Sequence, residues 1–230
     1  MKRQHEQSII DVFKEIFSFK CKQLGEKFHI SASLDGQDNH LGADYLFSVK
    51  TKFILIEFKY EKKNIKDEEN KFLRKCLCEY FNLENRYFYE NEFNKHIQCH
   101  FISWSEKFNS KREIFIGNYA RFVCFPVFGI KTPCKENIQE EKASIFIEDF
   151  ILSEQKIGLS FDDFNSYIEW LLHVCSSSNS GPIELIIYHP DNPTKLVEFN
   201  NLNELNNFIL ELKRNNLDSK PEYSDPGPEY

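Results

Sequence analysis

The eight residues Phe53-Ile54-Leu55-Ile56-Glu57-Phe58-Lys59-Tyr60 constrain this chain more than any other segment. Four apolar residues in succession read as a buried strand, and strand geometry then sends Glu57 and Lys59 to one face and Phe58 to the other. A carboxylate and an ammonium in such apolar company cost several kcal/mol of desolvation unless they are paired, hydrated or metal-bound. The fold must therefore bring compensating groups to that face.

The run Asp44–Val49, just upstream, reads as the neighbouring strand of a hairpin turning at Lys50-Thr51-Lys52. Antiparallel pairing would set Asp44 across from the far end of the second strand, beside Glu57 or Lys59. Two carboxylates and one lysine would then share a site. Hard divalent cations take oxygen ligands, and two carboxylates supply them while leaving positions for water and a phosphate oxygen. A lysine there can orient the attacking water or stabilise charge developing on phosphorus oxygens.

Flanking segments give this hairpin its context. Ile9, Ile10, Val12, Phe13, Ile16 and Phe17 recur at helical spacing, which predicts an amphipathic helix from Arg3 to Phe19. Phe28–Leu34 reads as a strand entering the turn Asp35-Gly36-Gln37-Asp38-Asn39-His40, and Asp67–Leu83 as a second helix with Asp67, Glu68 and Glu69 in its first turn, where the helix dipole favours negative charge. His96–Trp104, Glu113–Ile116 and Arg121–Phe128 read as further strands. The order helix, three strands, helix, strand is that of an α/β protein.

With Gly42-Ala43-Asp44-Tyr45-Leu46-Phe47 followed by Ile54-Leu55-Ile56-Glu57-Phe58-Lys59, the chain resembles the PD-(D/E)xK nuclease superfamily, the restriction-endonuclease-like fold, with Ala43 in place of the name-giving proline. The resemblance covers roughly residues 1–105 and implies a core of helix, three-stranded β-meander, helix and strand. It further implies that Asp44 and Glu57 bind Mg²⁺ or Mn²⁺ and that Lys59 helps activate the water that hydrolyses a phosphodiester. Such proteins often add a carboxylate from the first helix, and the chain offers Glu6 and Glu15 there. At about 100° per residue, Glu6 falls within the arc of Ile10, Phe13 and Phe17, whereas Glu15 lies nearly opposite, so Glu6 is the expected auxiliary carboxylate.

The remainder is less telling. Phe161–Cys175, with Ser160 as N-cap, reads as a helix; Ile183–His189 and Leu196–Phe199 read as strands, and Leu202–Arg214 as a closing helix. Ser176–Gly181 has a linker-like composition but is too short to mark a boundary. The expected organisation is a nuclease-like core over residues 1–130, a C-terminal α/β extension over 131–215 packed on that core, and a polar, Pro-rich, disordered tail over 216–230 in which Pro-Glu-Tyr occurs twice.

Composition bounds the rest. Hydrophobic residues make up 41% of the 230, with 23 Phe, enough apolar area for a packed core at about 25 cal/mol per Å² buried. No stretch approaches the roughly 18–20 apolar residues that span a bilayer, and the N-terminus lacks a signal-peptide core, so a cytoplasmic protein with no membrane partner is expected. The seven cysteines are odd in number and form no CxxC pair, and Cys76, Cys99, Cys124 and Cys175 sit in apolar company. Buried free thiols in a reducing compartment are the expectation.

A net charge of −7 argues against nucleic-acid binding by a global basic surface. Locally, Lys50, Lys52, Lys59, Lys62, Lys63 and Lys66 crowd one segment, as a basic patch or an ordinary solvated edge. His96 and His100, four apart, would suit zinc on a helix, but their segment reads as strand. Trp104, Tyr119 and the phenylalanines of 122–128 could stack bases, although aromatics in β-rich runs are more often core. No phosphate loop, GxSxG elbow or HExxH occurs. Two function classes remain: a Mg²⁺-dependent nuclease on DNA, or equally RNA, working with a protein partner or as a homo-oligomer in a bacterial defence or restriction setting; or a non-catalytic interaction subunit on the same fold.

Overall fold

The computed structural model describes residues 2–34, 41–132, 140–153, 156–175, 183–189 and 192–218. Their fold is mixed α/β, an eight-stranded mixed sheet with helices on both faces. The turn at 35–40, the linker-like stretch 176–181 and the tail beyond 218 lie outside the described residues.

Helix α1 (Lys2–Gln23) runs four residues past its predicted end and buries Ile9, Ile10, Phe13, Phe17 and Cys21 along one stripe. Gly25, at φ 76°, then turns the chain into β1 (His29–Ser33). Antiparallel β1, β2 (Tyr45–Val49) and β3 (Lys52–Glu61) follow in a meander, with Tyr45 opposite Ile56 and Val49 opposite Lys52. Lys50 adopts φ 56° in the tight β2–β3 turn. Strand β4 (His100–Phe108) pairs parallel with β3, and β5 (Lys111–Asn118) returns antiparallel to β4.

The later chain extends this sheet at both edges. Strand β6 (Glu141–Lys142) pairs with β5, while β7 (Leu185–His189) pairs with β1 and carries β8 (Asn192–Phe199), giving the order β6-β5-β4-β3-β2-β1-β7-β8. On one face α1 and α4 (Ala143–Leu152) cover Ile54, Ile56 and Phe58; Phe13 sits 5.2 Å from Phe47 and 5.3 Å from Phe58 between ring centroids. Each such buried aromatic contributes about 1.5–3 kcal/mol. Phe53 and Leu55 face the other core, built with α2 (Phe72–Tyr80), α3 (Arg86–Cys99), α5 (Phe161–Cys175) and α6 (Leu202–Asp218).

Several local expectations are corrected. The predicted helix Asp67–Leu83 is in fact a 3₁₀ helix over Lys62–Asn70 followed by α2. Ile65 and Glu68, its buried residues, are three apart, the period of a 3₁₀ turn. Residues 96–99, predicted as strand, close α3 instead, because Phe93, His96 and Cys99 are buried one turn apart on its inner side. The apolar run Arg121–Phe128 is helical rather than extended. Asn118 Oδ1 accepts from the Ala120 N–H at 3.1 Å as the run begins, and Gly129 ends it at φ 71°.

Cys124 is not a free thiol: it is disulfide-bonded to Cys78, joining α2 to the turn that follows β5. Cys21, Cys76 and Cys99 carry free thiols. Residues 216–218, expected in the disordered tail, belong to α6. Among the described residues no helix is long and apolar enough to cross a membrane.

Candidate active site

Strand β2 pairs with β3 only as far as Tyr45 opposite Ile56, so residues 57–61 of β3 have no β2 backbone beside them. Alternation aims the Ile56, Phe58 and Tyr60 backbone groups at that opening. Asp44 N–H donates to the Ile56 carbonyl at 3.0 Å, and its side-chain Oδ2 accepts from the Phe58 N–H at 2.6 Å. Glu6 of α1 stands beside the Tyr60 backbone at the same opening. Asp44 thus takes the place of the missing strand as the acceptor for Phe58.

Glu57 and Lys59 project into the layer of α2, and each is nearly fully buried. Lys59 Nζ is paired with Glu57 Oε1 and lies 2.9 Å from Glu68 Oε1. Lys71, the N-cap residue of α2, reaches the same two oxygens, at 2.7 Å from Glu57 Oε1 and 2.9 Å from Glu68 Oε1. Glu68 Oε2 accepts from the Tyr119 hydroxyl at 2.7 Å and lies 3.4 Å from Arg74 Nε.

The electrostatics follow from this crowding. Burial alone would raise the Glu57 pKa, but Lys59, Lys71 and Arg74 outweigh it and hold the group well below the usual carboxylate range. Asp44 moves the opposite way: burial, with the nearby charge of Glu57, raises it well above its ordinary value against the pull of Lys59, the Phe58 N–H and Lys71. Burial tends to lower Lys59, yet Glu57, Glu68 and Asp44 carry it well above the ordinary lysine value. Glu6 is raised by burial foremost, with Lys59 opposing and Glu57 reinforcing.

The structure therefore brings Asp44, Glu57, Lys59 and Glu6 to one place, while Glu15 faces solvent on α1. The basic segment does not converge. Lys50 and Lys52 lie at the opposite end of β3, where Lys52 donates to the Phe150 and Ser153 carbonyls, and Lys62 and Lys63 pair with Glu140 and Glu61.

Asp44 and Glu57 carry the oxygen donors that a hard cation takes. Among the described residues Glu57 Oε2 is buried and accepts no hydrogen bond, and continuing the β2–β3 register one residue past Tyr45–Ile56 sets Asp44 opposite Glu57. Mg²⁺ is commonly held by one or two carboxylates with water completing its shell. Among the described residues no group of three or more His, Cys, Asp or Glu side chains is arranged to hold a metal, so the fitting donors are a pair rather than a cage.

Sequence reasoning missed Glu68, Lys71 and Arg74. It placed Glu68 in the first turn of an α-helix as a dipole partner, whereas Glu68 is 0% exposed and bonds across the core. The available signal was the charge spacing Glu68-x-x-Lys71-x-x-Arg74; the three meet where the 3₁₀ helix passes through extended Lys71 into α2. Gly42 stands in the loop ahead of β2. At φ 74°, an added Cβ would stand 3.0 Å from Arg74 Nη1 and 3.2 Å from His100 Cε1, so only glycine lets this loop pass the cluster.

His96 and His100 sit behind the site. The Gly42 carbonyl can only accept, so His100 Nε2 carries its proton (2.7 Å) and Nδ1 accepts from the Tyr167 hydroxyl (2.9 Å), whose oxygen accepts in turn from His96 Nδ1 (2.7 Å). Trp104 and Tyr119 are fully buried, and Trp104 packs on Phe122 at 4.8 Å. Comparison with protein-family models, with curated proteins and with solved structures finds no match to this chain.

Proposed function

We propose that this protein is a metal-dependent nuclease that hydrolyses phosphodiester bonds of DNA on a restriction-endonuclease-like core. The observation that carries the reading is the meeting of Asp44, Glu57 and Lys59 at the end of β3, with Glu57 Oε2 buried and, among the described residues, unpartnered. The order α1, antiparallel β1-β2-β3, α2–α3 and then β4 parallel to β3 supports the core assignment. Asp44 and Glu57 would hold Mg²⁺ or Mn²⁺, which when bound supplies Lewis-acid stabilisation and a water of lowered pKa.

The chain's own residues do the rest. Lys59, kept protonated by Glu57 and Glu68, places a fixed positive charge where phosphoryl oxygens gain negative charge. The hydrogen bond from Phe58 N–H fixes Asp44 relative to β3, and Glu6 adds an auxiliary carboxylate at the rim of the opening. Since the net charge of −7 disfavours DNA, a protein partner or a homo-oligomer supplies much of the grip, in keeping with a subunit of a bacterial antiviral or restriction system acting in the cytoplasm.

A second reading, a non-catalytic interaction subunit, draws on one observation: Glu57 Oε1 is already satisfied by Lys59 and Lys71, as in a structural ion-pair cluster. Cleavage of plasmid, single-stranded DNA and RNA with Mg²⁺ or Mn²⁺, wild type against Asp44→Asn, separates the two. Metal-dependent cutting that disappears in Asp44→Asn is the expected result and also names the polymer. No cutting of any of them, with or without cell lysate as a source of a partner, would favour the interaction subunit.

A further inference from the structure

We infer that Lys71 is the substrate-binding cation of this site, the group that leaves its carboxylates to hold a phosphate of the incoming nucleic acid. The inference rests on the nuclease reading above and assigns within it a residue that the PD-(D/E)xK pattern does not supply.

Lys59 and Lys71 both contact Glu57 Oε1 and Glu68 Oε1, so two ammonium groups share one pair of carboxylate oxygens. Like charges held that close repel, and either could be spared without stranding an anion: Glu68 keeps Tyr119 and Arg74, and Glu57 keeps the other lysine.

Accessibility decides which one is free to move. The side chain of Arg74 is 0% exposed and that of Lys59 is 7% exposed, whereas that of Lys71 is 27% exposed. Lys71 also starts from extended backbone (φ −104°, ψ 96°) at the junction of the 3₁₀ helix and α2, so its four-carbon stem enters the cluster from the rim. Lys59 instead rises from the middle of the sheet.

The charge count supplies the motive. Among the described residues, Glu6, Asp44, Glu57 and Glu68 face Lys59, Lys71 and Arg74, so the cluster offers no surplus positive charge to a phosphodiester. Lys71 turned outward presents its charge to the phosphate instead of to Glu57 and Glu68. Lys62 and Lys63 pair with Glu140 and Glu61, outside the cluster, whereas Lys71 is in contact with Glu57 itself.

The test is steady-state cleavage of a short DNA duplex with Mg²⁺ by the full chain, together with anisotropy titrations of the labelled duplex in Ca²⁺ at several KCl concentrations. Lys71→Ala should raise KM about tenfold with kcat within about threefold of wild type, and should lower the slope of log affinity against log salt by about one. Lys71→Arg, which keeps the charge, should recover KM to within about threefold. Lys71→Gln replaces Lys71→Ala if the smaller side chain unfolds the protein, judged by thermal melting.

A fall in kcat at unchanged KM, no change in either constant, or an unchanged salt slope would overturn the role of Lys71 while leaving the nuclease reading intact. A wild type that cuts neither the duplex nor single-stranded DNA or RNA, with or without cell lysate as a source of a partner, would overturn both.

Discussion

Glu68 is a carboxylate with no access to solvent that faces Lys59, Lys71, Arg74 and the Tyr119 hydroxyl at once. Removing the shared partner of a buried ion cluster leaves uncompensated charge and typically costs about 3–5 kcal/mol. Glu68→Ala should therefore lower stability by about that amount in urea titrations, and Glu68→Gln, which keeps the shape and an acceptor for Tyr119, by less. Equal, small losses in both variants would mean that the cations rearrange to water. For Lys59 the expected loss is catalytic: deleting a preorganised electrostatic group typically costs about 10²–10³ in rate. Lys59→Ala should thus abolish most metal-dependent cutting, and retained activity in a folded variant would remove Lys59 from the chemistry. Glu57 and Lys59 were legible because alternation in a strand has a fixed period, and Glu6 because helical periodicity separates it from Glu15. Glu68, Lys71 and Arg74 were not, since they meet across the junction of a 3₁₀ helix and α2 at extended Lys71, which in sequence reads as one continuous helix.

Elements α3, β4 and α5 meet at His96, His100 and Tyr167, where an unbroken run of hydrogen bonds ends on the Gly42 carbonyl beside the site. Burial, opposed by the Gly42 carbonyl and assisted by Arg74, brings the His100 pKa down to about 4, and burial with the neighbouring His100 puts His96 well below its ordinary value. The unfolded chain protonates these imidazoles near pH 6.5, so it binds more protons than the native state between roughly pH 6.5 and 4. The stability His100 contributes is present above pH 6.5 and lost as pH falls toward 4, about 3 kcal/mol in all. Urea midpoints at pH 7.5 and 4.5 should show that decline, and His100→Gln should make it shallower; an identical decline in the variant would assign it to other groups. The same region shows why element boundaries were only partly readable. Buried His96, a polar residue between Phe93 and Cys99, interrupts the apolar period of α3, and the apolar run Arg121–Phe128 looks extended until Asn118 and Gly129 are seen to bound it. The Cys78–Cys124 bond spans 46 residues and reflects the packing of α2 against the turn after β5, which no local pattern encodes.

Across the whole molecule, the eight-stranded order carries the later chain around both edges of the β1–β5 sheet, so stability and site are built on one scaffold. A ligand that binds the native state alone stabilises all of it by RT ln(1 + [L]/Kd), about 2.7 kcal/mol at a hundredfold excess over Kd. At this chain length such a gain raises the thermal midpoint by about 5–10 °C. The nuclease reading needs Asp44 and Glu57 to bind a divalent cation, whereas an ion-pair platform does not. Mn²⁺ titrated into the wild type should accordingly raise the midpoint by that amount, and neither Asp44→Asn nor Glu57→Gln should respond, whatever their midpoints without metal. Asp44 is raised by burial and by Glu57, so Asp44→Asn should be no less stable than the wild type in metal-free buffer, whereas Glu57→Gln takes a charge from Lys59 and Lys71 and should be less stable; only the shift on adding Mn²⁺ is diagnostic. A wild type whose midpoint stays fixed up to millimolar Mn²⁺ would turn the Asp44–Glu57 pair into a structural feature and the protein into a binding subunit.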